Sequence, residues 1–291
     1  MRDPVYVPGP DDAWERRAPE QVGMDPARLD GAVQFALQHE TPWPRDLLAL
    51  LTENNRAEGP YGAIVGPVKP RGGPTGLIVR HGYIVAEWGD PARVDMTFSA
   101  SKSYLATLAG LALDRGLIRD LDDPVRAYVD DGGFDSPHNR AITWRHLLQQ
   151  TSEWDGTLWG KPDQVDHNRG VGGVSWISAE KGTRRELRAP GTHWEYNDVR
   201  VNRLALALLR VWGRALPEVF KEAIMDPIGA SETWQWHGYE NSYVTIGCWN
   251  CSSITYSSIP GTRCMKMPNG WNISFPNASK TELRHCLAIR K

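Results

Sequence analysis

Cysteine is nearly missing from this chain: 291 residues contain four, and all of them, Cys248, Cys251, Cys264 and Cys286, follow Gly247. The stretch before them has neither a disulfide framework nor a thiolate nucleophile. Long apolar runs are missing too. Met1-Arg2-Asp3-Pro4 opens a polar, proline-bearing start with no segment long enough for a signal peptide or a membrane span. The default expectation is a cytoplasmic location, with a periplasmic or secreted origin open if an upstream coding region is missing. An excess of either charge is also lacking: the net charge is −2 and no long basic run exists, which argues against nucleic acid, and Arg184-Arg185 reads as a solvated face. There is no Gly-x-Ser-x-Gly elbow. The eight histidines form no His-Glu-x-x-His pair, which disfavours a zinc hydrolase. Glycines cluster at 71–74 and 170–173, but neither cluster precedes Gly-Lys-Ser/Thr or follows a strand, so neither is a phosphate loop. Both read as flexible connections near a pocket mouth. No metal and no cofactor is implied.

What is present is an ordinary globular composition, 41% hydrophobic and 23% charged, enough for a sizeable core. Within it, Thr97-Phe98-Ser99-Ala100-Ser101-Lys102-Ser103-Tyr104 sets a serine three residues before a lysine at the start of an apolar helical run, Leu105, Leu108, Ala109, Ala112 and Leu113, closed by Arg115-Gly116. Residues i and i+3 share a helix face, so the Lys102 amine reaches the Ser99 hydroxyl and accepts its proton. Unpaired N–H groups and the positive dipole end favour a lysine that is neutral and able to act as base. The Ser-x-x-Lys spacing alone is weak, and Ser178-Ala179-Glu180-Lys181 repeats it. Gly182 follows that copy at once, which makes it a polar loop or frayed helix end. Ahead of Ser99 lie two strand-like runs, Gly76 to Val79 and Tyr83 to Trp88, joined through Arg80-His81-Gly82 as in a hairpin.

This order resembles the penicillin-recognising serine hydrolases: class C β-lactamases, DD-peptidases and family VIII carboxylesterases. Phe98-Ser-Ala-Ser-Lys-Ser103 is similar to their nucleophile motif. Leu147-Leu148-Gln149-Gln150-Thr151-Ser152 is similar to the Leu-Leu-x-x-Thr-Ser segment, with Glu153 where glycine is usual, and Pro190 through Asp198 to the segment that delivers Tyr-x-Asn. The resemblance spans about residues 15 to 246. It implies Ser99 as nucleophile, Lys102 as base and Tyr196 as the proton shuttle to the leaving group, a role for which a phenol needs a nearby cation. Without it, Tyr196 reads as a packed core or rim residue. Asp198 takes the place of the asparagine, and the resemblance implies a substrate-binding role for it. It also directly precedes the helical run Val199, Val201, Leu204, Ala205, Leu208, Leu209 and Trp212, and the N-cap is the favoured reading. Trp154, Trp159 and Trp194 flank these segments. Core packing accounts for most tryptophans, and lining an acyl pocket is the functional alternative for these three.

After Gly247 the composition changes to serine, threonine and asparagine without helical periodicity, and the resemblance stops. The third motif, Lys-Thr-Gly or His-x-Gly, has only Lys280-Thr281-Glu282 as an echo. A metal knuckle at Cys248-Trp-Asn-Cys251 lacks a second Cys-x-x-Cys, and a disulfide-stapled segment lacks a secretory signal. The favoured reading is a native continuation lost through a frame change or a gene fragment. The expectation is an α/β (α+β) fold of the β-lactamase/DD-peptidase type, with an antiparallel sheet flanked by helices and incomplete at its C-terminal side. Residues 1–247 form the hydrolase domain, with a helical subdomain over about 117–235, and 248–291 an unrecognised tail. The expected substrate is a small ester, amide or β-lactam, cleaved through an acyl-enzyme. The alternatives are a β-lactamase or DD-peptidase, and a catalytically inactive or truncated homologue acting as a binding protein. No nucleic acid or membrane partner is expected, and the oligomeric state is open.

Overall fold

The computed structural model describes residues 6–8, 14–62, 64–65, 68–170, 180–230, 233–234 and 236, with the backbone of three short strands between 255 and 275. Local chemistry sets the first helices. Asp25 caps α1 (Pro26–Gln38) by accepting from the Arg28 N–H, with Pro26 at the first helical position, and Asp46 caps α2 (Leu47–Asn55) through Leu48. The hairpin expected before the serine forms as β2 (Gly76–Arg80) and β3 (Tyr83–Trp88), after the short β1 (Ile64–Val65). His81 and Gly82 turn it with φ of 52° and 87°, the two positive φ values of a two-residue primed turn. Gly82 is required there: a Cβ would lie 2.2 Å from the Tyr6 carbonyl oxygen. The 71–74 connection is pinned rather than loose, since the Gly72 N–H donates to Asp95 at 2.7 Å and Arg71 pairs with Glu40 at 2.5 Å.

A single 3₁₀ turn, Phe98–Ala100, leads into α3 (Ser101–Asp114). That helix ends where Gly116 takes φ 70° and the Leu117 N–H returns to the Ala112 carbonyl. Its face Leu105, Leu108, Ala109 and Ala112 is buried against α5 (Asp198–Trp212) and α6 (Leu216–Phe220), with the short α4 (Trp144–Leu148) closing the group. Helix α5 is unusual. Every residue from Asp198 to Leu208 is buried, including Arg200, Asn202 and Arg203. A helix this enclosed tolerates arginines only when carboxylates meet them. Asp131 accepts from Arg203 at 2.5 and 3.0 Å, and Arg200 is met by three acids described below.

The mixture of helices and antiparallel strands is the one expected. Among the described residues the strands form four separate two-stranded pairs: β2 with β3, β4 (Thr157–Leu158) with β5 (Lys161–Pro162), β1 with β6 (Thr255–Tyr256), and β7 (Arg263–Lys266) with β8 (Asn272–Phe275). The four cysteines and the Lys280-Thr281-Glu282 echo carry no described side chain. No described helix is long and apolar enough to cross a membrane.

Candidate active site

Ser99 stands exposed in the 3₁₀ turn, and Lys102 lies one turn later on the same face, its Nζ 3.2 Å from Ser99 Oγ. The residue before the serine, Phe98, has φ 46°, a left-handed conformation that a non-glycine side chain adopts at a cost. The Ser101 hydroxyl holds that turn by donating to the Phe98 carbonyl at 2.9 Å, and the Phe98 ring packs edge-on to Trp43. Ninety-seven residues on, the approach to α5 brings Tyr196 Oη to 2.5 Å from Ser99 Oγ, where either oxygen can donate. The three residues named from the sequence thus converge, with Lys102 Nζ 4.8 Å from the Tyr196 ring centre.

Two expectations change here. The N-cap of α5 is Asn197: its backbone is extended at φ −129°, its Oδ1 accepts from the Arg200 N–H, and its Nδ2 donates to the Asp163 carbonyl. Asp198 is instead the first helical residue, with a side chain 1% exposed. Its carboxylate pairs with Lys102 at 2.9 Å and with Arg169, and the Asp166 carboxylate accepts its backbone N–H at 2.9 Å. Both oxygens face protein cations, and the side chain is closed to solvent. The second change concerns Lys102. Burial pulls its titration down, but the Asp198 and Tyr196 interactions outweigh burial and leave it raised above the ordinary 10.5. The lysine is therefore held as a cation, opposite to what a neutral-lysine base requires. Asp198 is itself lowered far below the usual carboxylate range: burial opposes this, and Arg169 and Lys102 override it.

Arg169, to which no sequence motif pointed, bridges the site. Its side chain is 9% exposed, its guanidinium meets both Asp198 and Asp166, and it lies 4.7 Å over the Tyr196 ring on a side chain separate from Lys102. Lys181, the lysine of the second Ser-x-x-Lys copy, lies in a turn, in keeping with the loop expected there, but its side chain is only 2% exposed and pairs with Asp166 at 3.3 Å. Ser178 lies outside the described residues. The only sequence-level signal for this cluster is the spacing Asp163, Asp166, Arg169, three residues apart.

A second buried network braces the tyrosine from behind. Arg185 binds Glu153 at 2.5 and 2.6 Å and Glu195 at 2.7 and 3.0 Å; Arg200 binds Glu153 at 2.7 Å, Asp163 at 2.9 Å and Glu195 at 3.2 Å. Glu153 occupies the glycine position for a visible reason: its φ is 49°, where glycine is unstrained, and its carboxylate joins two arginines and the Arg188 N–H. Burial acts to raise that carboxyl, yet Arg185 and Arg200 hold it at about 2. Glu153, Glu195, Asp163 and His167 converge, but arginines take their oxygens, and among the described residues no group of three such side chains is placed to hold a metal.

The tryptophans divide. Trp154 is 3% exposed, donates its indole N–H to the Gly133 carbonyl at 2.7 Å and lies under Arg203, which makes it core rather than pocket lining. Trp159 is partly buried at φ 49° in the β4–β5 turn and packs on the core, and Trp194 is half exposed.

A mixed helical and antiparallel fold with a serine, a lysine one turn later and a tyrosine at the serine's oxygen defines the class: a protein of the β-lactamase-related serine hydrolase superfamily. The chain belongs to the Beta-lactamase family, which matches residues 75–240, more than half of its length. No curated protein matches it. Similar solved structures include EstCE1, a hydrolase with promiscuous acyltransferase activity (19% identity, 79% of this chain and 64% of that one, TM-score 0.37). A beta-lactamase/D-alanine carboxypeptidase from Yersinia pestis is 16% identical over 72% of this chain and 66% of that one, with TM-score 0.39. The octameric penicillin-binding protein homologue from Pyrococcus abyssi is 18% identical over 79% and 50%, with TM-score 0.38. The chain thus spans about half to two thirds of the length of these proteins.

Proposed function

We propose that the chain is a serine hydrolase that cleaves a small ester or amide through an acyl-enzyme on Ser99. The observation that carries this reading is the 2.5 Å contact between Ser99 Oγ and Tyr196 Oη beside a lysine kept charged. Acting as a phenolate beside the Lys102 ammonium, the Tyr196 oxygen takes the Ser99 proton and becomes a neutral phenol as Ser99 Oγ attacks the substrate carbonyl. The phenol then gives that proton to the leaving alcohol or amine. Water, deprotonated by the same oxygen, attacks the acyl carbon, and Ser99 Oγ leaves with the proton returned to it. Lys102 thereby supplies charge, and Tyr196 moves the proton.

One observation favours a second reading, a binding protein with a silent site. The same Asp198 contact that fixes Lys102 as a cation also removes it as a base. Intact-mass analysis of wild type beside Ser99→Ala, after treatment with a fluorophosphonate and separately with a penicillin, decides between them. The hydrolase reading expects an adduct on wild type alone, and the penicillin arm separates a β-lactam recogniser from an esterase. Folded wild type that takes up neither reagent supports the silent site.

A further inference from the structure

The chain from His193 to Asn197 approaches α5 without helix or turn, and its burial alternates: Glu195 and Asn197 are buried, Tyr196 is partly exposed and Trp194 is 50% exposed. Such alternation marks extended backbone, in which residues i and i+2 share a face about 6–7 Å apart. Trp194 therefore stands beside Tyr196 on the face that carries the phenol to Ser99 Oγ. The opposite face is fixed. The Glu195 N–H donates to the Gln150 carbonyl at 3.1 Å, the Gly191 N–H donates to the Thr151 carbonyl at 2.8 Å, and Arg185 and Arg200 hold the Glu195 carboxylate. The indole is thus presented on a rigid support. Among the described residues no hydrogen bond and no ring contact engages it. A single exposed apolar side chain is ordinary on a protein surface, but one beside the reacting oxygens has the substrate within reach.

We propose that Trp194 is a specificity-determining residue that packs against a flat apolar group on the leaving side of the substrate, so that esters of arylmethyl and similar apolar alcohols are preferred. The side follows from the roles of the two oxygens. Ser99 Oγ bonds the acyl carbon, whereas Tyr196 Oη has to reach the oxygen of the departing alcohol to give it the proton. Whatever that alcohol oxygen carries extends past the phenol, over the face that Tyr196 shares with Trp194. An indole suits the task because it offers a wide, stiff apolar surface with few torsions to freeze. Contact there takes the exposed indole and the alcohol's own apolar surface out of water together.

This inference rests on Ser99 being a working nucleophile, and its test separates the two ideas. kcat/KM is measured in wild type, Trp194→Ala, Trp194→Gln and Trp194→Phe for ethyl acetate and naphthylmethyl acetate, and for p-nitrophenyl acetate and p-nitrophenyl hexanoate. The first pair varies the alcohol and passes through one acetyl-enzyme; the second varies the acyl group and releases one phenol. Wild type should prefer the naphthylmethyl ester. Trp194→Ala and Trp194→Gln should lower that preference over ethyl acetate about tenfold, Trp194→Phe should keep most of it, and the ratio between the p-nitrophenyl esters should hold throughout. Because the acetates share their deacylation step, the change belongs to kcat/KM. A merely structural role for Trp194 would slow all four esters together. If Trp194→Ala does not fold, Trp194→Gln, polar at an exposed position, carries the same expectation. An unchanged alcohol preference, a fall confined to the hexanoate, or equal slowing of every ester overturns the inference and leaves the hydrolase intact. Wild type that cleaves none of the esters overturns it as well, and absence of a fluorophosphonate adduct in addition removes the hydrolase.

Discussion

Lys102 Nζ lies 2.9 Å from Asp198 Oδ1, and the carboxylate is all but closed to solvent. The contact joins the helix that starts at the nucleophile to the helix that starts beside the tyrosine. Because burial opposes the lysine's charge and Asp198 restores it, the pair behaves as one unit.

Asp198→Asn should leave Lys102 and Arg169 under-compensated and cost about 3–5 kcal/mol at pH 7. The sign follows from the titration. In wild type the raised lysine contributes stability at every pH below its ordinary 10.5 and loses it only as pH climbs through the elevated value. In the variant burial acts on the lysine with only Tyr196 left to oppose it, so the lysine's share of the loss should shrink as pH rises from 7 toward 10. Urea denaturation across that range reads both effects, and a loss independent of pH would count against the pairing.

Tyr196→Phe removes the proton carrier but keeps the ring under both cations. Labelling of Ser99 by a fluorophosphonate should slow by roughly 10²–10⁴-fold, with the melting temperature little changed. Lys102→Met should slow it comparably and also lower stability, since it removes one of the two cations that compensate Asp198. Equal labelling rates in wild type and Tyr196→Phe would remove the tyrosine from the reaction.

Glu153→Ala should destabilise by about 3–5 kcal/mol, because Arg185 and Arg200 lose a shared carboxylate inside the protein. Glu153→Gly relieves the left-handed backbone and should recover about 1 kcal/mol of that loss. The pH signature is acidic. A carboxyl held at about 2 against an ordinary 4.5 contributes fully above 4.5 and loses its contribution as pH falls toward 2. Urea midpoints at pH 6, 4 and 3 should fall in wild type and fall much less in Glu153→Gly.

Trp154→Phe tests the reassignment of that residue to the core. Loss of the indole donor to Gly133 and of ring volume should cost about 1–3 kcal/mol with the labelling rate of Ser99 unchanged. A changed rate with unchanged stability would return Trp154 to the pocket.

The parts of the site legible in the sequence were those fixed by local geometry. Ser99 and Lys102 share a helix face by spacing, the hairpin is written in His81-Gly82, and Tyr196 is marked by its segment. Glu153 stood out only as a departure from glycine, and its meaning needed a φ angle and two arginines from distant segments. The choice of Asp198 over Asn197 as cap failed by one residue, since both types cap well and only tertiary pairing with Lys102 and Arg169 drew the aspartate inside. The three-residue spacing of Asp163, Asp166 and Arg169 could not by itself reveal the site, because Asp166 and Asp198, which Arg169 meets, become neighbours only when the chain from 163 to 169 packs on the start of α5.

Helix α5 has no solvent-facing turn between Asp198 and Leu208. A segment enclosed in this way has no local route by which to open, so its amides should exchange with deuterium only when the whole domain unfolds. The carboxylate that faces Lys102 therefore sits on an element expected to open last, and the electrostatics at Ser99 should be kept until the fold itself is lost. For this protein, ageing of the site and ageing of the fold run on one clock.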